Sequence, residues 1–291
     1  MKVSFVIPSY QQGSYIGQCL DSIASQDLPK GTYEVIVQDG GSTDGTLEIL
    51  RSHPANPNWE SAPDDGQAHA INQALAKTSG DIIAWINSDD YYLPGAIDKV
   101  QQAFAQNPSK TVVYGDGLQV NEEGRQTGEY PVEDWDYKRL PDKCFLCQPA
   151  TFFLRSVLDK HGALNEGFHL ALDLEFWLRL GKTENFLRIP ETLAAAREYP
   201  NNKSQANPLR QQIEALWAGY LHTGKFSRKR LWAIASNRLP PHQTSRGRFG
   251  SYTWLGTYLG YLKLQKEISR QDYPWHHLPK VSNREAPPPA P

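Results

Sequence analysis

The run Ile83-Ala84-Trp85-Ile86-Asn87-Ser88-Asp89-Asp90 carries a short apolar stretch directly into two adjacent carboxylates. Neighbouring aspartates repel each other, and hard oxygen ligands of this kind suit Mg²⁺ or Mn²⁺, which would neutralise the pair. The competing reading is an Asp-rich turn ahead of a helix at Pro94. Further acids stand at similar breaks: Asp39 in Gln38-Asp39-Gly40-Gly41-Ser42-Thr43-Asp44-Gly45, Asp65 in Asp64-Asp65-Gly66-Gln67, and Asp173 with Glu175 at the start of an apolar helical pattern. A positioned carboxylate can serve as proton acceptor for a hydroxyl, so the last pair are candidates for a general base.

The elements that must position these acids follow from periodicity. Val3 to Pro8 reads as a strand, and Tyr15, Ile16, Cys19, Leu20 and Ile23 then recur at helical spacing. Tyr33 to Val37 is a second strand, followed by a helix with Leu47, Ile49 and Leu50; Ser42 or Thr43 can cap it. Asn58 to Ala62 reads as a short third strand, Gln67 to Lys77 as a helix and Asp81 to Asn87 as a strand. Such alternation predicts a parallel sheet, with ligands at the carboxyl ends of its strands. The loops after Ile7, Val37 and Ile86 should therefore meet at one pocket. A helix to about Ala105 and a strand at 111–114 come next, and Gly115-Asp116-Gly117 and Glu122-Glu123-Gly124 suggest hairpin turns. The expected fold class is α/β with a mixed sheet. Helices are expected from Asp173 and at 208–222, 227–237 and 251–270, before a Pro-rich disordered tail.

With 39% hydrophobic residues, 8 Trp, 14 Tyr and 10 Phe in 291 residues, the chain has material for a substantial core. Its opening apolar stretch is too short for a signal peptide, and no run approaches the roughly 20 apolar residues of a membrane span. The expected location is cytoplasmic, with peripheral contact at the inner face of a membrane left open. Three cysteines, Cys19, Cys144 and Cys147, argue against a disulfide framework. Cys144-Phe-Leu-Cys147 lacks a second ligand pair for zinc and reads as buried thiols.

The formal charge of −2 conceals an asymmetry. Residues 201–265 hold ten Lys or Arg against the single acid Glu214, while residues 1–200 hold 16 basic and 28 acidic residues. The basic stretch adjoins Tyr252-Thr253-Trp254-Leu255, a composition that suits an interfacial helix, a helix packed on the main domain, or a dimer contact. Nucleic-acid binding is not expected, because the predicted cleft is acidic and no reading module is present. Dinucleotide binding is disfavoured, since Pro8-Ser9-Tyr10-Gln11-Gln12-Gly13 lacks the G-x-G-x-x-G fingerprint.

Assembled in order, five blocks resemble family 2 glycosyltransferases of the GT-A fold: Ile7 to Tyr10, Val37 to Thr46, Asp64 to Asn72, Trp85 to Asp90 and Leu172 to Arg179. The resemblance covers about residues 1–205 and implies a Rossmann-like mixed sheet flanked by helices. It implies an inverting transferase that moves a sugar from a nucleotide-diphosphate donor, UDP first among them, to a hydroxyl of a saccharide or lipid-linked acceptor. Surface polysaccharide or glycolipid synthesis is a common setting for the family. Pro8, Ser9 and Tyr10 would line the base and Asp39 would accept a hydrogen bond from it; Asp65, Gln67 and Asn72 would lie near the ribose or sugar. Asp89 and Asp90 match the element that meets the ribose and holds Mg²⁺ or Mn²⁺ on the diphosphate. Asp173 matches the general base, with Glu175 as its rival. Arg197 or Lys203 would meet phosphate. Asn87, Leu172 and Tyr199 depart from the residues usual at those places, which leaves a non-catalytic nucleotide-sugar-binding or scaffold protein as the alternative. The implied organisation is a catalytic domain at 1–205, a helical basic and aromatic extension at 206–275, and a tail at 276–291.

Overall fold

In the computed structural model, residues 1–237 are described; the helix expected at 251–270 and the tail at 276–291 lie outside them. The first half alternates as its periodicity requires: β1 (Val3–Ser9), α1 (Ile16–Ala24), β2 (Tyr33–Asp39), α2 (Thr46–Ser52), β3 (Asn58–Ser61), α3 (Gln67–Ala76) and β4 (Ile82–Trp85). β1 pairs in parallel with β2 and with β4, and β2 with β3. This register sets Ser9 beside Asp39, so the loops leaving both strands start at one edge.

The second half is mixed. It contains β5 (Tyr91–Tyr92), α4 (Ala96–Gln106), β6 (Val112–Val120), β7 (Gln126–Glu129), β8 (Thr151–Leu154), α5 (Ser156–His161), α6 (Leu172–Leu180) and β9 (Phe186–Arg197). β8 runs antiparallel between β4 and β6, and β9 runs parallel to β6 and antiparallel to β5. The sheet order is β3-β2-β1-β4-β8-β6-β9-β5, with β7 paired to β6. α7 (Lys203–Ala206), α8 (Pro208–Thr223) and α9 (Arg228–Asn237) follow.

One expected turn is absent. β6 passes straight through Gly115-Asp116-Gly117, with only register irregularities there. Those glycines answer to crowding: a Cβ on Gly115 would stand 2.5 Å from the Glu191 carbonyl, and one on Gly117 would overlap the Cys147 sulfur. The turn expected around Gly124 does form, and it joins β6 to β7.

Alternate residues of the strands feed two cores, one on each face of the sheet. Val3, Phe5 and Ile7 pack with α1 and α4, while Val6, Ile83 and Trp85 pack with α3 and α6. Each such side chain contributes about 1.5–3 kcal/mol by leaving water. Ala215 and Ala218 of α8 belong to the same core as Trp85 and Trp177, so packing is continuous across position 205.

Candidate active site

The chain leaving β1, β3 and β4, with α6 and the segment after β9, encloses a cleft of about 710 Å³; the loop after β2, expected to join them, supplies none of its lining. Asp89 and Asp90 form its acidic end. Asp90 is only 5% exposed; its Oδ1 accepts from the Arg197 backbone N–H at 2.8 Å and its Oδ2 from Asn87 Nδ2 at 3.3 Å. Asp89 accepts from the Tyr199 hydroxyl through Oδ2 at 3.0 Å, which leaves Oδ1 for a ligand. Burial pushes both carboxyls above the usual range, and the charge of Asp89 pushes Asp90 well up. A cation here would relieve both effects.

Among the described residues, no three His, Cys, Asp or Glu side chains converge to cage a metal. Two adjacent carboxylates still fit Mg²⁺ or Mn²⁺, because such an ion usually takes one or two carboxylates and completes its shell with phosphate oxygens and water. Asn87, which replaces the usual first acid, spends its amide on Asp90, Gln148 and Gln67.

The loop after β1 supplies Pro8, Ser9, Tyr10 and Gln12 to the cleft. Tyr10 is 61% exposed and presents an open aromatic face. Ser9 Oγ and Gln12 Oε1 are buried and have no hydrogen-bond partner. Unpartnered buried polar atoms facing a cleft are costly unless a ligand satisfies them. Gln12 carries no motif of its own, and no signal in the sequence singled it out.

Several expected residues are placed differently. Asp39 is fully buried beneath the loop, and its carboxylate accepts from Gly41 N, Ser42 N, Ser42 Oγ and Ser61 Oγ. Three of these donors crowd Oδ2 and one meets Oδ1, and Asp39 is not among the residues that line the cleft. Asp65 points to solvent with its side chain 94% exposed, whereas Asp64 lines the cleft. Gly66, at φ +114°, turns the chain between them and α3. A Cβ on Gly40 would lie 2.7 Å from Asp64 Oδ2, so the close approach of these two loops depends on glycine. Asn72 is away from the cleft and pins the chain at Leu164 and Glu166. Gln67 is in the wall, hydrogen-bonded to Asn87 and to Lys203 Nζ.

Arg197 does not offer its guanidinium to a phosphate. It donates to the carbonyls of Asp89, Asn121 and Glu122 and to Gln18 Oε1, and it lies over the rings of Tyr15 and Tyr91. Lys203, the other cation expected to meet phosphate, stands in the cleft wall and keeps an exposed ammonium that donates to Gln67.

Asp173 stands in the first turn of α6 and lines the same cleft. Burial raises its pKa, against the pull of the helix-end N–H groups and of Arg230. Its rival Glu175 is 1% exposed. Burial pushes Glu175 up, but hydrogen bonds from His222 and Arg179 overcome this and hold it low. Glu175 therefore ties α6 to α8 and is closed to substrate. The turn before α6 is held by Glu214 of α8, whose Oε2 accepts from the backbone N–H groups of His169, Leu170 and Ala171 at 2.9, 2.6 and 3.3 Å. The only acid of the basic stretch thus orients the helix that carries Asp173.

A mixed sheet with a cleft at its parallel strand ends, lined by an adjacent acid pair and by Asp173, is a GT-A architecture. The profile of glycosyl transferase family 2 matches residues 4–162, and the chain belongs to that family. It is 28% identical over 191 residues to a chondroitin synthase of Escherichia coli, an alignment covering 64% of this chain and 27% of the relative. The chain thus spans about a quarter of that relative's length. A PGL/p-HBAD biosynthesis glycosyltransferase of Mycobacterium tuberculosis is 28% identical over 181 residues, covering 60% of this chain and 68% of the relative. Among solved structures, S. aureus TarS 1–349 in complex with UDP-GlcNAc superposes with TM-score 0.61 and 18% identity, over 92% of this chain and 82% of that one. A mannosyltransferase from Pyrobaculum calidifontis, in complex with GDP-Man and Mn²⁺, gives TM-score 0.61 and 17% identity over 91% and 83%. At these identities the structures show a shared fold.

Proposed function

We propose that the chain transfers a sugar, with inversion, from a nucleotide-diphosphate donor to a hydroxyl of a saccharide or lipid-linked acceptor. The observation that carries this is that Asp89, Asp90 and Asp173 line one and the same cleft. The base lies against Tyr10, with Ser9 Oγ and Gln12 Oε1 as its unsatisfied hydrogen-bonding neighbours. UDP is the first donor nucleotide to test, because the relative fold binds UDP-GlcNAc in TarS. Asp89, backed by Asp90, would hold Mg²⁺ or Mn²⁺. When bound, that ion offsets charge on the departing diphosphate.

Asp173 takes the proton of the acceptor hydroxyl as its oxygen bonds to the anomeric carbon. The bond from that carbon to the diphosphate oxygen breaks with its electron pair leaving on the diphosphate. Attack from the side opposite the leaving group inverts the centre, and no covalent enzyme intermediate is needed. Lys203, drawn toward Gln67, adds positive charge on the leaving-group side.

The test is binding and turnover of UDP-, GDP- and dTDP-sugars with and without Mn²⁺. Asp173→Asn should keep donor binding and lose about 10²- to 10⁴-fold in turnover. Asp89→Asn should lose the Mn²⁺-dependent part of donor binding. Absence of binding by any nucleotide sugar would overturn the reading.

Among the described residues, no helix is long and apolar enough to cross a membrane. Peripheral membrane contact or a homodimer through residues 206–275 belongs to the same proposal and would be seen as salt-sensitive sedimentation with anionic vesicles or as a doubled mass in solution.

A further inference from the structure

A second cavity, of about 360 Å³, abuts the donor cleft and shares Tyr130, Leu170, Gln211 and Asp173 with it. Its outer wall comes from α8, α9 and the segment 142–144. All of α8 and α9 lies beyond the part of the chain that matches the family profile.

Arg230 of α9 lines this cavity and is 8% exposed. Its Nε donates to the Pro141 carbonyl at 2.7 Å and its Nη1 to Gln212 Oε1 at 3.2 Å, both neutral acceptors. Among the described residues it makes no ion pair within 4 Å, although it senses Asp142 and Asp173 at longer range. A guanidinium stays charged under all ordinary conditions, and a buried charge without a counter-ion is unfavourable. Burial accordingly pulls the Arg230 pKa down.

The rim adds positive charge. Lys229 is 75% exposed and pairs loosely with Asp142, at 3.4 Å, and Lys143 is 44% exposed beside Glu133. The lining therefore sets three cations, Arg230, Lys143 and Lys229, against two acids, Asp142 and Asp173, and of the cations only the buried Arg230 has no ion pair among the described residues. On the transferase reading the donor diphosphate would be held through a metal at Asp89 and Asp90, so an anion in the second cavity would belong to a different molecule.

We propose that this cavity is the acceptor subsite, and that it selects acceptors bearing an acidic group, a carboxylate or a phosphate, which Arg230 holds while a neighbouring hydroxyl meets Asp173. The proposal rests on the transferase reading above and names its acceptor class. It also gives the basic C-terminal helices a task within the reaction: they discriminate the acceptor, whereas the family-matching part binds the donor.

The test measures binding by saturation-transfer NMR on the full chain with three probes: methyl β-glucuronide, glycerol 3-phosphate and methyl β-glucoside. One or both acidic probes should bind about ten- to a hundredfold more tightly than the neutral glucoside, the range expected for a charge-assisted contact. The stronger of the two acidic probes identifies carboxylate or phosphate as the natural group. Arg230→Gln should abolish the preference; Lys229→Glu, at the exposed rim, should weaken it and serves if Arg230→Gln fails to melt cooperatively. Equal binding of all three probes, no binding of any, or a preference that survives both substitutions would overturn the proposal. Hydrolysis of UDP-sugars by the wild-type chain is read separately, so loss of the transferase reading and loss of the acidic-acceptor subsite give different results.

Discussion

Asp173 combines two properties that pull against each other: it is buried enough to raise its pKa, and it must be ionised to accept a proton. The acid limb of the kcat/KM profile should therefore lie above the ordinary range of an aspartate, with activity rising as pH passes through the elevated value. A profile flat down to pH 4 would contradict the assignment of Asp173 as base. The same shift has a consequence for folding. A carboxyl whose pKa is higher in the folded state than in the unfolded one costs stability once it ionises, so the penalty is present at neutral pH and disappears on acidification. Asp173→Asn should then leave the melting temperature at pH 7 unchanged or raised while it removes turnover. At this scale the sequence locates blocks better than atoms. Asp64 and Asp65 are adjacent identical residues, and which of them faces the cleft depends on the backbone turn at Gly66. Asp39 is buried with three donors on Oδ2 and one on Oδ1, and Arg197 spends its guanidinium on the loops around it, placements that only the packed fold decides.

α8 shows how an element outside the obvious motifs can govern one inside them. The single Glu214 carboxylate collects three consecutive N–H groups ahead of α6, a cap supplied by a distant helix where no local side chain provides one. Glu214→Gln removes the charge and keeps the size. It should lower kcat about tenfold or more with little change in KM for the donor, at a stability cost of about 1–3 kcal/mol by chemical unfolding. Equal loss of donor affinity would instead mark a general collapse of the cleft. The parallel strands β1, β2 and β4 were readable because each is a continuous apolar run closed by a loop signal. β8 and β9 were not, for different reasons. β8 is only four residues, and β9 mixes Arg188, Glu191 and Thr192 into a long edge-ward strand whose pairing with β6 is set by tertiary contact. The glycines of β6 imitate a turn in sequence and are required by crowding instead.

On the scale of the whole molecule, the acidic body and basic end interlock. His222 and Arg179 hydrogen-bond Glu175, Glu214 holds the approach to α6, and Ala215 and Ala218 enter the principal core. A chain ended after residue 207 should therefore fail to unfold cooperatively or melt far below the full chain, since about 1.5–3 kcal/mol is lost for each large apolar side chain re-exposed. An unchanged melting curve would make α8 an appendage. Arg197 carries a consequence for the kinetics of ligand capture. Its guanidinium fastens the acidic loop to α1 and to the β6–β7 turn through three backbone carbonyls and Gln18 Oε1, and its backbone N–H fixes Asp90. The acidic end of the cleft is thus braced by the chain's own hydrogen bonds. Nucleotide association should follow a single exponential whose rate rises linearly with concentration and shows no plateau, the signature of encounter without a preceding rearrangement.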